Sequence, residues 1–254
     1  MRKTVKLIIT CLVILAVGAV TANLSFAAEN ATIDFEKLLE ENNSESIEQI
    51  EEEKPQEQIK TENNNAEENN TKNNEEKKQL RSEMGYSENL KLILCVGELL
   101  PNKNQQMAVK MTAGLAKQYP NVLLLIAGNG PERDNIEKLI AGLGLQNNVK
   151  LLGYVTNLQD YQHITDVGVS CSKREGLPLN IVESMLSGTP VVATNHRGHR
   201  ELISDGKNGY LVNVDDILLM ETRVMTLLNE PDIYNSISDN GILRGNEYSA
   251  SSVM

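Results

Sequence analysis

Cysteine and histidine are scarce in this chain, three of each in 254 residues, and there is no tryptophan and only two phenylalanines. Cys11 lies in an apolar N-terminal run, which leaves Cys95 and Cys171, both in apolar strand-like contexts. They read as buried free thiols of the kind found in cytosolic proteins, not as a disulfide framework. His163, His196 and His199 lack Cys or acidic partners at metal-ligand spacing, so no zinc site is expected. Positive charge is also short: 24 Lys and Arg stand against 35 Asp and Glu, a net charge of −11. That balance argues against non-specific nucleic-acid binding. No apolar run reaches the roughly 20 residues that a membrane span needs. Nor is there an internal repeat.

What is present falls into three parts. Arg2, Lys3 and Lys6 precede an apolar run from Leu7 to Val20, and small residues close it at Ser25 and Ala27. A basic start, a short apolar centre and an A-x-A-like end describe a bacterial-type signal peptide or N-terminal anchor over residues 1–28. Residues 29–79 are rich in Asn and Glu and almost free of aromatics. Sixteen acidic residues and six lysines between 29 and 78 account for −10 of the chain's net charge. Such a segment cannot bury enough apolar area to offset the entropy of ordering, so it reads as a disordered acidic spacer. The acidity of the whole chain therefore says little about the partners of its folded part.

From residue 80 to 254 the texture changes to apolar runs alternating with amphipathic stretches, enough chain for one ordinary core. Runs at 90–97, 121–128, 149–154, 166–172, 190–194 and 209–214 are continuously apolar, as strands covered on both faces are. Helical patterns lie between and after them, at about 104–118, 132–143, 158–164, 180–188, 199–204, 216–229 and 232–247. The alternation predicts an α/β fold: a single Rossmann-like, doubly wound parallel sheet with helices on both faces. Ligands of such sheets bind outside the carboxyl ends of the strands, at the topological switch point. Four loops qualify: "GELLPNKNQ", "GNGPER", "GYVTN" and "SKREGLPLN".

The last of these continues as "EGLPLNIVES", with Glu175 and Glu183 eight positions apart. Gly176 would permit a turn with positive φ, and Pro178 would stiffen the approach to a helix beginning near Asn180. The free N–H groups of a helix start favour an anion such as a diphosphate. Carboxylates on either side could each accept hydrogen bonds from paired hydroxyls, which suits a nucleotide sugar. A competing reading needs no ligand: Asn180 and Glu183 fit the N-cap and N3 positions of a capping box. "GNGPER" similarly fits a tight strand-to-helix turn as well as a phosphate contact. Arg174 and Arg197 could face phosphates, but surface arginines are common. The apolar stripes "AVKMTAGLA" and "LLMETRVMTLL" read as helix-packing faces.

The ordered set of motifs separates these alternatives. "REGLPLNIVESMLSGTPVVATNHRGHRELISDGKNGYLV" closely resembles the donor-site signature of the retaining group 1, or family four, glycosyltransferases, which have the two-domain GT-B fold. The elements are Glu175, Gly176, Leu177, Pro178, Glu183, Gly188, Pro190, Gly198, Glu201 and Asn208–Gly209. "CVGELLPNKNQQMAV" and "LLIAGNGPERDNIEKLIAGLGLQNNVKLLGYV" are also similar to the family, particularly to enzymes of capsular and exopolysaccharide synthesis. The resemblance covers residues 80–254, the C-terminal half of a GT-B enzyme. It implies that Glu183 binds the ribose hydroxyls, and that Glu175 holds the transferred sugar. The amides around Gly176, Leu177 and Pro178 would face the diphosphate, although Pro178 itself donates nothing. Lys103 would neutralise the departing diphosphate, a fixed cation that lowers the barrier electrostatically. Gly153, Tyr154 and Val155 would line the base pocket. Many relatives carry an arginine where this chain has Glu98, and a glutamate there cannot clamp phosphate.

The implied reaction is hexosyl transfer, with retention, from a nucleoside-diphosphate sugar, UDP before GDP, to a glycan or lipid-linked acceptor. No metal and no cofactor is expected, since the folded part has no D-x-D and Lys103 can serve the phosphates. Family members place the acceptor site in a preceding domain, for which residues 1–79 offer no counterpart. Three readings stay open: a transferase whose acceptor half comes from a separate chain, a non-catalytic exported sugar-nucleotide-binding module, or a truncated remnant. Localisation carries a conflict of its own. The N-terminal segment points to export or membrane anchoring, whereas nucleotide sugars are used at the cytoplasmic face.

Overall fold

A computed structural model describes residues 75–248 of the chain. The signal-like segment, nearly all of the acidic spacer and residues 249–254 lie outside the described residues. Six strands form one wholly parallel sheet: β1 (Lys91–Val96), β2 (Val122–Ala127), β3 (Val149–Gly153), β4 (Val167–Ser170), β5 (Val191–Thr194) and β6 (Tyr210–Val212). The helices are α1 (75–83), α2 (Gln105–Gln118), α3 (Arg133–Gly142), α4 (Leu158–Ile164), α5 (Leu179–Leu186), α6 (Arg197–Leu202), α7 (Ile217–Asn229) and α8 (Pro231–Asn246). Every strand and helix expected from residue 80 onward is found within a few residues of its expected position.

The continuous apolar runs have a direct cause in the pleat. Successive side chains point to opposite faces, and here both faces are covered. Ile93, Cys95, Leu124, Ile126, Val167, Val169 and Val192 enter one core together with Met107, Met111 and Leu115 of α2 and Met220, Val224 and Leu227 of α7. Leu92, Leu94, Leu125 and Ala127 enter a second core with Tyr86 and Ile164. On that same side of the fold, Val191 and Ala193 pack on Ile181, Val182 and Met185 of α5. Cys95 and Cys171 are both buried free thiols, as expected.

The strand order is β3-β2-β1-β4-β5-β6. Chain order therefore runs outward from β1 to β3, then returns to the other side of β1 and runs outward again. β1 and β4 pair in parallel, with Ile93 opposite Val167 and Cys95 opposite Val169. The reversal falls between them, the topological switch point outside whose carboxyl ends sheets of this kind bind ligands.

At the opposite edge the fold begins earlier than the sequence suggests. Residues 75–79, assigned to the spacer, are helical and form part of α1. Buried Arg81 donates from Nε to Ile164 O (2.7 Å) and from Nη2 to Asp166 Oδ1 (2.6 Å). Asp166 Oδ2 in turn accepts from Leu92 N (2.8 Å), and Lys77 Nζ donates to Thr165 O (2.6 Å). One guanidinium thus ties α1 to the amino ends of β1 and β4. Burial lowers the pKa of Lys77 more than neighbouring Asp166 restores it. No helix among the described residues is long and apolar enough to cross a membrane. Replacing Arg81 by Met would remove the donors to the Ile164 carbonyl and leave Asp166 with only Lys77 and Leu92 N; it should cost about 2–4 kcal/mol in urea unfolding.

Candidate functional site

The site is assembled by glycine contacts across the carboxyl edge of the sheet. A Cβ on Gly128 would sit 2.0 Å from Gly97 O, so the β1 and β2 loops touch backbone to backbone. Gly128 N donates to Gly153 O (2.7 Å), which joins the β3 loop to the same edge. A Cβ on Gly130 would lie 2.4 Å from Leu99 O, and Glu132 N donates to that carbonyl (3.0 Å). "GNGPER" is therefore a tight turn that supports the β1 loop.

That loop delivers Lys103. Its stem runs past Gly97, where a Cβ would lie 3.5 Å from Cδ. Lys103 Nζ forms an ion pair and hydrogen bond with Glu175 Oε1, and the same oxygen accepts from Ser172 Oγ (2.6 Å). The β1 and β4 loops are also zipped through the backbone. Lys173 N donates to Asn102 O (2.8 Å), and Asn102 Nδ2 donates to Arg174 O (2.7 Å). Burial on its own would raise the Glu175 carboxyl. The hydrogen bonds from Lys103 and Ser172, with the charge of Lys103, outweigh it and hold the group below the usual range. The two residues assigned to separate tasks, phosphate and sugar, are thus brought into direct contact.

Two expectations about this loop are overturned. Gly176 is not among the residues with positive φ, and its missing side chain faces open space. The glycine that the packing demands stands opposite: a Cβ on Gly198 would lie 2.1 Å from Gly176 O and 2.6 Å from Glu175 O. The capping box is also absent. The N-cap of α5 is Pro178, which has no side-chain acceptor, and no side chain caps the helix. Asn180 sits inside the first turn and reaches Val96 O (3.4 Å), while Glu183 Oε2 accepts from buried Gln162 Nε2 (3.1 Å). Glu183 is thereby left exposed on α5, free of any role in the helix start.

The other expected residues spread along the same edge. Gly176 is exposed, Leu177 is 48% exposed and Pro178 is buried at the entry to α5. Gly153 (φ 72°) ends β3, two strands from β1, and half-buried Val155 packs against the Leu92–Leu94 side of the sheet. Exposed Glu98 occupies the β1 loop. A cavity of about 420 Å³ lies against Arg174, Glu175, Gly176, Arg197, Gly198 and Glu201. A larger one, about 520 Å³, is at the opposite edge beside Lys77, Arg81 and Tyr234, away from this cluster.

Beneath the loop lies a polar support that no motif signalled. His199, fully buried, donates from Nδ1 to Thr194 O (2.6 Å), so its Nε2 accepts from Ser170 Oγ (3.1 Å). The ring of His196 stacks on it at 3.8 Å between centroids. Ser172, Asn102 and Gln162 were equally silent in the sequence, because small polar residues near strand ends carry no spacing of their own.

Residues 76–244 match the family described as glycosyl transferases group 1. EpsD of Bacillus subtilis is 32% identical over 164 residues, which cover 65% of this chain and 43% of that protein. HepE of Anabaena, solved in complex with UDP-glucose, aligns with a TM-score of 0.62 at 26% identity, covering 67% of this chain and 48% of that one. The C-terminal domain of LpcC, a group 1 family protein of Francisella tularensis, aligns with a TM-score of 0.61 at 21% identity and shares the fold. The alignment covers 68% of this chain and 92% of that domain. The chain thus spans less than half the length of EpsD and HepE but nearly all of an isolated C-terminal domain. It belongs to the group 1 glycosyltransferase family, and its described residues have the Rossmann-like fold of a GT-B C-terminal domain.

Burial lowers the pKa of His199 from 6.5 to about 4, despite the carbonyl of Thr194. Between those values the unfolded chain binds the proton that the folded chain excludes, so stability rises with pH from about 4 to 6.5 and this contribution is flat above. The whole effect is on the order of 3 kcal/mol. Denaturant midpoints measured from pH 4.5 to 7 should show this slope. His199→Asn, whose amide can still donate to Thr194 O, should flatten it.

Proposed function

We propose that this chain binds a nucleoside-diphosphate sugar, UDP-linked in the first instance, at the carboxyl edge of β1 and β4. On this reading it supplies the donor half of a retaining hexosyl transfer to a glycan or lipid-linked acceptor. The observation that carries the proposal is the Lys103–Glu175 pair, set by two loops at the point where strand order reverses. HepE, with the same fold, was solved with UDP-glucose, which agrees with a donor of this kind.

The roles follow from charge and position. In the free protein the ammonium of Lys103 is balanced by Glu175. An arriving diphosphate offers it denser negative charge, and Lys103 turns to the phosphates. The carboxylate of Glu175 is then free to accept hydrogen bonds from hydroxyls of the transferred sugar. As the glycosidic bond to phosphate breaks, charge accumulates on the leaving oxygen, and a fixed cation beside it is worth most at that moment. The uncapped N-terminus of α5, with the amides of Gly176 and Leu177, adds donors for the same phosphates. Glu183 accepts from the ribose diol, while Gly153 and Val155 border the base.

Calorimetric titration of the full chain with UDP and UDP-glucose tests this. Glu183→Ala should weaken UDP binding about tenfold and more than Glu175→Ala does; Glu175→Ala should act mainly on UDP-glucose. The reverse order would sink the role assignment. Lys103→Ala should reduce release of UDP from UDP-glucose by about a hundredfold or more in any preparation that shows it. Absence of UDP binding at millimolar concentration would remove the reading altogether.

A further inference from the structure

Among the described residues, only two that are not glycine have a backbone with positive φ, Asn104 (φ 54°) and Asp215 (φ 65°). Asparagine and aspartate enter this left-handed region more readily than other L residues, yet it still carries a steric cost that something must offset. The two lie 111 residues apart in sequence and bond to each other, Asn104 Nδ2 donating to Asp215 Oδ1 (3.0 Å). Neither side chain is taken up by its own helix. Asn104 is the N-cap residue of α2 but caps nothing with its side chain. α7 is capped by the next residue, Asp216, whose Oδ1 accepts from Leu219 N (3.1 Å). Apart from a 4.0 Å approach to Met107 Sδ, Asp215 is the one partner of the Asn104 amide among the described residues.

The place of Asn104 in the chain gives this bond its consequence. It is the single residue between Lys103 and α2, whose Met107, Met111 and Leu115 are fixed in the core. The backbone angles of Asn104 therefore set the direction in which the chain runs from the helix start to Lys103. In a right-handed or extended conformation they would turn Lys103 away from Gly97, along which its stem lies, and from Glu175. The Asp215 end of the bond is anchored as well: Val212 of β6 and Met220 of α7, on either side of it, are buried in that same core. We propose that Asp215 is a positioning residue of the donor site: its carboxylate holds Asn104 in the left-handed conformation that sets Lys103 beside Glu175. The proposal rests on the nucleotide-sugar reading above and extends it to the loop between β6 and α7, to which no motif pointed.

The charge of Asp215 taken alone predicts the opposite of this role. A carboxylate near the phosphates repels them, and one near Glu175 raises that residue's pKa. Removing Asp215 for its charge alone would therefore tighten UDP binding and lower the Glu175 pKa further. Removing it as the support of Asn104 should do the reverse on both counts. Burial would raise the Glu175 carboxyl, and the hydrogen bonds from Lys103 and Ser172, with the charges of Lys103 and His199, outweigh it. A displaced Lys103 gives up its share of that hold, and the pKa climbs.

The test measures UDP affinity by calorimetry and the Glu175 pKa by carboxyl-carbon NMR, on the full chain, for the wild type and for variants of Asp215 and Asn104. Circular dichroism and thermal melting report that each variant folds. Asp215→Gly keeps a residue at ease with positive φ and removes the carboxylate. It should weaken UDP binding about fivefold and raise the Glu175 pKa. Asn104→Ala breaks the same bond from the other side and should do likewise. Asp215→Asn, which retains an acceptor oxygen, should bind UDP about as well as the wild type or more tightly. Glycine at φ 54° needs no support, so adding Asp215→Gly to Asn104→Gly should cause no further loss. An unchanged or tighter-binding Asp215→Gly would overturn the proposal, as would an Asp215→Asn variant equally weak. So would the same loss from Asp215→Gly with and without Asn104→Gly. A wild-type chain that binds no UDP would overturn the donor-site reading instead, and the Glu175 pKa would then still decide whether Asp215 positions Lys103.

Discussion

The pairing of β1 with β4 governs this molecule. Because β4 returns to the side of β1 opposite β2, the two loops leaving these strands lie side by side and bond to each other directly. Lys103 comes from one and Glu175 from the other, seventy-two residues apart in sequence. The same pairing is locked from below, where Asp166 at the head of β4 accepts from Leu92 N of β1 and from Arg81 of α1. The buried Arg81–Asp166 pairing lies at the amino edge and the proposed donor site at the carboxyl edge of the same two strands.

Glycine has a specific part in bringing the loops within reach. Gly97, Gly128 and Gly153 allow three loops to lie against one another, while Gly198 lets α6 touch the backbone of Glu175. A methyl group at 128 or 198 would meet a carbonyl oxygen at about 2 Å, so the contacts are closed to any other residue. Rigid backbone beneath a charged pair suits the proposed exchange, in which Lys103 leaves Glu175 for the phosphates of a donor. Exchange is inexpensive only if nothing else moves.

Much of this was legible in advance. Parallel strands buried on both faces leave continuous apolar runs, and amphipathic helices alternate with them, so every strand and every helix after α1 could be placed from pattern. The start of the fold was misplaced because "EEKK" continues the acidic composition of the spacer, whereas residues 75–79 are helical and Lys77 bonds Thr165 O. The capping box failed for a related reason. Asn and Glu three apart fit it by spacing, but Pro178 starts α5 one residue earlier, and Val96 O and Gln162 take the two side chains.

By itself the sequence determined the fold class, the order of elements and the residue types available at the site, because periodicity and ordered motifs are local properties of a chain. Only the tertiary structure decided which of those residues meet. It set Lys103 on Glu175, made Gly198 the obligatory glycine in place of Gly176, and stacked His196 on a satisfied His199 with its own nitrogens unpaired among the described residues. Such facts depend on distances between loops that strand pairing brings together from far apart in the chain, and no spacing along the chain encodes them.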